Sequence, residues 1–514
     1  MTEDPRLRLI GGPDGRSPHA ADVLARLDGT RVVIRTGPDM TGAHTVALAA
    51  FVGLVARLFG HVALDPPVPL SPNWWGAVDS DALLTALLPV RPTPTAPPVS
   101  EVTVTFGNQV APGHLAVGGD DYTVRLARVP QPLGDPAGHA LGVHAAACLA
   151  VSQLLGEVLG PVGHPGVRLE GLYVTNLIDY RLTAAPSLSP VAFSAPLSLA
   201  VAGVGSVGTS AAALLAGCLA PALAPDARPA GGQLFELIAV DSDILDPSRN
   251  PFRYPALLGT ESGHKATWLA ERLNTLGLTA HGVPTPVAEW TRARDRPGFD
   301  GLLLSSVDTL AGRLDVTDVL ARETLSLGVA GLALHAQRER FADGLACPFC
   351  DYVSAAPPLT QAGAHAETTG LPVTRILALL QPDGRLTPLD VDLAIQAGRL
   401  PAERRERLIG APLTDLVRQA YAEMELRGPI ADDGVLAVAA PQISWFAGVL
   451  AAVEVIKQLR GLPLVDRRVD ADLAGLPPGL VRRSPADSTG RCLCHSGVRR
   501  RWYRGLYTDQ PAIA

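Results

Sequence analysis

A chain of 514 residues with 47% hydrophobic residues is too apolar to be disordered and long enough for about two to four packed domains. Lys+Arg 43 against Asp+Glu 50 leaves a net charge of −7, so no global basic field exists to hold nucleic acid or an anionic membrane. The opening MTEDPRLRLIGG lacks the cationic start and apolar core of a secretion signal, and six cysteines in so long a chain do not make a disulfide framework, so a cytoplasmic protein is expected.

In chain order, residues 1–183 read as an α/β domain. The strand RVVIRT is followed by an apolar helix around Thr45 to Phe59, then the strands VTVTF (102–106) and DYTVRLAR (121–128), then a long Ala/Leu helix from about Gly138 to Val158. The most apolar run, Val46 to Leu64, carries Arg57 and His61 and is read as a buried helix plus strand, not a membrane span. Arg91 to Pro98 is a Pro-rich loop, and residues 184–196 read as a linker.

Residues 197–350 alternate more clearly: strand LSLAVA, glycine-rich turn, Ala-rich helix, strand LFELIAV, polar loop, helix from about Gly263 to Asn274, a further strand, LLLSSV (302–307) and GVAGLAL (328–334). That order predicts a doubly wound, Rossmann-like parallel sheet. Residues 351–440 read as a helical crossover insertion (TRILALL, PLDVDLAIQAG, LTDLVRQAYAEMEL). Residues 441–514 supply a closing helix from about Ile443 to Leu459, a cysteine pair and a basic tail with Arg499, Arg500 and Arg501. The runs 144–160 and 445–461 share an apolar helical pattern. This fits either a duplicated architecture whose first half has lost its glycine-rich loop or two unrelated buried helices.

The motif Gly203-Val204-Gly205-Ser206-Val207-Gly208 lies between a strand and a helix, where small residues let backbone amides and the helix dipole meet phosphate oxygens. The next strand ends at Asp241 and Asp243, suited to ribose hydroxyls. Asn250, Arg253 and Lys265 follow, a cluster of donors that a triphosphate needs and hydride transfer does not. Asp308 ends a later strand at the same sheet edge and is a candidate Mg²⁺ ligand. Lys265 and Lys457 are the two lysines of an otherwise arginine-based chain.

This order of motifs resembles the E1-like ATP-dependent activating enzymes, the ThiF, MoeB, HesA and ubiquitin-activating proteins. The resemblance covers residues 198–350 and, in outline, 441–495. It implies MgATP bound by Gly203, Gly205 and Gly208, with Asp241 on the ribose, Asn250, Arg253 and Lys265 on the phosphates and Asp308 on the metal. Arg253, Lys265 and Asp308 would then carry the catalysis. It implies adenylation of the carboxyl terminus of a small ubiquitin-like or sulfur-carrier protein or ribosomal peptide. The resemblance does not extend to residues 1–183, an α/β domain that is a candidate degenerate E1-like sister half, and a homodimer or an intramolecular pseudo-dimer is the candidate assembly. Ser248-Arg249-Asn250 carries an extra residue, and Tyr254 replaces the family's usual Gln.

Cys347-Pro348-Phe349-Cys350 and Cys492-Leu493-Cys494-His495 form two separated thiol pairs, the layout of a closed structural zinc site, with Cys494 or His495 as the fourth ligand. Cys148 and Cys218 fall in apolar helical runs and read as buried side chains, not as thioester nucleophiles. Two other readings use part of this set: an NAD(P)-dependent oxidoreductase on the same glycines and Asp241, and an inactive E1-like scaffold that binds a partner peptide.

Overall fold

The computed structural model describes residues 4, 6, 20–94, 97–108, 110–135, 139–162, 168–186, 197–219, 235–246, 250–341, 343–347, 349–350, 361–381, 383–417, 419–420, 439–465, 467–476, 480–482, 486–488, 490 and 492–507. It divides into two compact units, one of Pro18–Tyr352 with Ala439–Ala514 and one of Met1–Ser17 with Val353–Val438.

The larger unit holds two sheets. The first contains β1 (Thr30–Thr36), β2 (His61–Leu64), β3 (Ser100–Phe106), β4 (Leu115–Gly119), β5 (Thr123–Ala127) and β6 (Tyr173–Asn176) in the order β2-β1-β3-β4-β5-β6. Its helices are α1 (Ala20–Asp28), α2 (Gly42–Leu58), α3 (Ser80–Ala86) and α4 (Leu141–Leu159). The Val46 to Leu64 run is thus α2 followed by β2. The stretch Leu141–Val162 is long and apolar enough to cross a membrane, but 72% of its 18-residue apolar window is buried in this core.

The second sheet contains β7 (Leu197–Ala202), β8 (Phe235–Val240), β9 (Thr279–Val283), β10 (Phe299–Ser305), β11 (Ala321–Ala330), β12 (Ala333–Glu339), β13 (Arg468–Asp472) and β14 (Leu480–Arg482), ordered β14-β13-β12-β11-β10-β7-β8-β9. Its helices are α5 (Ser206–Leu219), α6 (Asn250–Arg253), α7 (Lys265–Thr275), α8 (Val287–Arg292) and α9 (Leu310–Asp318). β7 is buried along nearly its whole length because helices cover both faces, which is why its sequence is a continuous apolar run. Val287 and Trp290 of α8, Val316 of α9 and Val319 just past it pack on one face against Ala200, Ala202, Val240 and Leu303.

The sheet is mixed, not parallel throughout: β9, β8, β7, β10 and β11 run parallel, while β12, β13 and β14 pair antiparallel. The run 328–334, read from sequence as one strand, is the turn of the β11–β12 hairpin, with Gly331 at φ 59°.

The smaller unit has α10 (Gln361–Thr369), α11 (Val373–Leu379), α12 (Pro388–Gln396) and α13 (Arg405–Leu408) around Leu371, Ile376, Leu379, Val391 and Leu416. Arg375 grips Asp390 through two bonds of 2.7 Å. The predicted helix 413–426 is described only at 413–417 and 419–420, and its remainder lies outside the described residues.

In the larger unit the chain resumes with α14 (Pro441–Leu459) and ends with α15 (Gly497–Tyr507). The two sheets then prove to share one plan. β2-β1-β3-β4-β5-β6 and β8-β7-β10-β11-β12-β13 have the same order, with three parallel pairings followed by two antiparallel ones. In each, a helix of 19 residues, α4 or α14, precedes the last of these strands. The similar helical patterns at 144–160 and 445–461 are therefore equivalent elements of two repeats.

The repeats are joined through charge. Tyr180 Oη donates to Glu454 Oε1 (2.7 Å), and Lys457 Nζ donates to the same oxygen (2.6 Å) and to the carbonyl of Ile178 (2.8 Å). Arg338 bridges Glu323 and Glu454 from β12. Burial disfavours the charge of Glu454, but Lys457 and Arg338 outweigh it and hold the carboxyl below its ordinary range. Lys457 is thus part of the joint between the halves. Glu454→Gln leaves Lys457 and Arg338 short of a carboxylate in the core. It is expected to cost about 3–5 kcal/mol and to lower the denaturant midpoint of the full chain, whereas an unchanged midpoint would show that the network contributes nothing to the joint.

Candidate nucleotide and metal sites

The glycine-rich turn leaves β7 and enters α5. Gly203 has φ 90°, a conformation that side chains rarely adopt, and a Cβ there would also press within 3.1 Å of the Ser306–Val307 peptide. At Gly208 a Cβ would sit 2.2 Å from the Gly203 carbonyl oxygen, so the third glycine lets helix and strand close up. At Gly205 the nearest atom is the Tyr254 hydroxyl at 3.8 Å, which leaves that face of the turn open to a ligand. Ser306 Oγ donates to the Gly203 carbonyl (2.6 Å) and Ser206 Oγ to the Arg253 carbonyl (2.9 Å).

Asp241, just past β8, accepts from Val204 N at 2.6 Å and from Asp243 N at 2.8 Å, one bond on each carboxylate oxygen. Burial pushes its carboxyl up, and Lys265 acts against that. The second acidic residue, Asp243, pairs with Lys265 Nζ at 2.7 Å, and its carbonyl accepts the Lys265 amide at the start of α7. The lysine side chain is 8% exposed and that of Asp243 67%. Burial alone would lower the lysine pKa, but the surrounding Tyr254, Asp241 and Asp243 raise it above its ordinary value, so the ammonium is fixed as a cation. Its Nζ lies 5.8 Å from the centre of the Tyr254 ring.

Arg253 ends α6 beside the turn, and its Nε is buried without a hydrogen-bond partner. Asp308 follows β10 and is exposed. The structure therefore brings Gly203, Gly205, Gly208, Asp241, Asp243, Arg253, Lys265 and Asp308 to the carboxyl edge of β7, β8 and β10. The side chain of Asn250 and the Ser248-Arg249 pair lie outside the described residues.

What stands behind this edge leaves no local trace in the sequence. Tyr254 is buried and walls the turn. Arg57, fully buried on α2 of the first repeat, donates to the carbonyls of Gly53 (2.6 Å), Tyr254 (3.3 Å) and Leu257. Trp74 and Trp75 donate to Ala256 and Pro255. A pair of adjacent tryptophans is conspicuous in a chain with six, but nothing local reveals acceptors some 180 residues away.

The equivalent turn of the first repeat differs in charge. Asp39 sits there, accepting from the amides of Asn108 and Leu133, each at 3.2 Å, and a Cβ on Gly107 would meet its Oδ1 at 2.2 Å. A carboxylate of the protein occupies the place where the second repeat presents glycine.

The four sulfurs of Cys347, Cys350, Cys492 and Cys494 lie within 4.8 Å of one another, all buried. The hydrogen-bonded pairs among them are 3.3 to 3.8 Å apart, and a tetrahedral thiolate zinc with bonds of about 2.3 Å has sulfurs about 3.8 Å apart. The amides of Cys347 and Asp487 point at Cys350 Sγ, each at 3.4 Å, as expected for a thiolate ligand. The set fits zinc, and the sulfur of Cys494 completes it without His495. Cys148 and Cys218 are both buried, and burial pushes both thiols up, away from the thiolate form that a nucleophile needs.

No family model matches the chain, and no curated protein matches it. The chain is similar to solved structures of Escherichia coli MccB. One is 10% identical over 59% of this chain and 65% of MccB, just under two thirds of that protein's length, with a TM-score of 0.33. A second, MccB with ATP, is 11% identical over 58% and 67% of the two chains with a TM-score of 0.31. A third, the microcin C7 biosynthetic enzyme MccB with N-formylated MccA, is 11% identical over the same shares with a TM-score of 0.32.

If four sulfurs hold the metal, His495→Ala retains about one zinc per chain by elemental analysis, while Cys494→Ser loses it and melts lower. The reverse pattern would make His495 the ligand.

Proposed function

We propose that this chain is an ATP-dependent adenylyltransferase of the E1/ThiF type that activates the carboxyl terminus of a small protein or peptide. The observation that carries the reading is the buried ammonium of Lys265, held by Asp243 at the same sheet edge as the glycine turn and Arg253. A dinucleotide oxidoreductase needs the turn and Asp241 but no such pair of cations, whereas a triphosphate needs both.

In this account the open face at Gly205 receives phosphate oxygens, Asp241 accepts from the ribose, and Asn250, Arg253 and Lys265 bind the phosphate chain. Asp243 steers Lys265. Magnesium, when bound, neutralises phosphate charge, and the exposed carboxylate of Asp308 would hold it. The substrate carboxylate oxygen attacks the α-phosphorus as the bond to the bridging oxygen breaks. The electron pair leaves with pyrophosphate, and an acyl adenylate remains. Arg253 and Lys265 favour this step by stabilising charge that grows on the leaving group.

With Cys148 and Cys218 buried, the acyl adenylate passes to an external nucleophile and not to a cysteine of this chain. Zinc on Cys347, Cys350, Cys492 and Cys494 ties the segment after β12 to the carboxyl-terminal region and takes no part in the reaction. Four thiolates on one ion suit a reducing, cytoplasmic setting. The shared plan of the two repeats favours an intramolecular pseudo-dimer, and neither membrane nor nucleic acid is required.

Thermal melting with ligands tests this. At about 100 times its Kd, MgATP should stabilise the protein by about 2.7 kcal/mol, NAD⁺ should not, and Lys265→Ala should remove most of the ATP effect. Stabilisation by NAD⁺ in place of ATP would overturn the proposal.

A further inference from the structure

The segment that follows Arg253 closes a turn from the Leu257 amide to the Tyr254 carbonyl (3.0 Å). Four consecutive carbonyls of it accept from three side chains of the first repeat. Arg57 donates to Tyr254 (3.3 Å) and Leu257, Trp75 Nε1 to Pro255 (3.3 Å) and Trp74 Nε1 to Ala256 (2.8 Å). The same tryptophan reaches the lysine-bearing helix, where its ring meets Trp268 edge-on at 6.1 Å, and the Arg272 guanidinium lies over it at 5.6 Å and donates to its carbonyl. On the other side of the strap, the Arg253 carbonyl is fixed by Ser206 at the head of α5, and Tyr254 packs with Leu245, Leu257 and Trp268.

Resting on the nucleotide reading above, we infer that Arg57, Trp74 and Trp75 are positioning residues for phosphate binding. The first repeat acts as a clamp that sets Arg253 and Lys265 at the correct separation around the polyphosphate. Backbone carbonyls in a buried loop need donors, and here Arg57, Trp74 and Trp75 bring side-chain donors to Tyr254 through Leu257 from the other half of the molecule. The guanidinium of Arg57 spans Gly53, Tyr254 and Leu257 as a planar fork, a task a lysine ammonium cannot repeat. This gives the first repeat a role that does not require it to bind nucleotide, consistent with Asp39 in its own turn.

The test is calorimetric titration of the full-length protein with MgATP and, separately, with AMP, which lacks the outer phosphates. The proteins compared are the wild type, Trp74→Phe, Arg57→Lys, Arg253→Ala and Trp74→Phe combined with Arg253→Ala. Trp74→Phe keeps an aromatic ring against Trp268 while removing the Nε1 donor together with the rest of the pyrrole ring, so it serves if Arg57→Lys fails to fold.

Loss of a buried donor predicts ATP binding about fivefold weaker or more, AMP binding within about twofold of wild type, and no further loss when Trp74→Phe is added to Arg253→Ala. Equal weakening of ATP and AMP, full additivity with Arg253→Ala, or unchanged ATP binding would each overturn the clamp while leaving the nucleotide reading intact. Wild-type protein that binds no ATP would overturn both.

Discussion

A cation buried at a sheet edge must be held there by fixed charges, and the site depends on how Lys265 meets that requirement. Asp243 supplies the partner through its side chain and fixes the helix start through its carbonyl. Asp241 is meanwhile tied down by two backbone amides. The result is a preorganised arrangement in which the ammonium cannot drift and one face of the glycine turn stays open. Preorganisation of this kind is what transfer of a nucleotidyl group needs from a protein, because the charge that grows on the leaving pyrophosphate must meet dipoles already in place.

The same logic runs through the joint between the repeats. Two halves with one strand order meet through buried polar contacts as well as apolar packing: Tyr180, Glu454, Lys457 and Arg338 on one side, Arg57 with its carbonyls on another. Buried charges of this kind are costly to desolvate and demand complete sets of partners. They therefore fix how the halves meet more sharply than apolar contacts would. The two turns at the amino ends of α2 and α5 have diverged in sign. Glycine leaves one face of the second open, and Asp39 places a carboxylate in the first.

Much of this was legible in the sequence where function follows from local pattern. The alternation of strands and helices, the open turn at Gly203 to Gly208, the acidic residues after β8 and the paired cysteines all depend on residues close in the chain or on recognisable spacing. The mixed sheet was not legible, because a run such as 328–334 is equally apolar whether it forms one strand or bends at Gly331 into a hairpin. Nor was the role of Arg57, which sequence offered only as a charge inside an apolar stretch. Its acceptors are backbone carbonyls some 200 residues on, and a carbonyl leaves no trace in sequence. Lys457 shows the converse case. It is one of two lysines in the chain, and it lies in the joint between the halves and not at the edge that carries Lys265.

The central claim, that a carboxyl terminus is activated at this edge, is tested most directly by exchange of labelled pyrophosphate into ATP. The assay would use an extract of small proteins and peptides from the native cell, before and after chemical amidation of their carboxyl groups. The account predicts exchange with the untreated extract and its disappearance after amidation. Exchange that survives amidation, or ATP bound with no exchange under either condition, would contradict it.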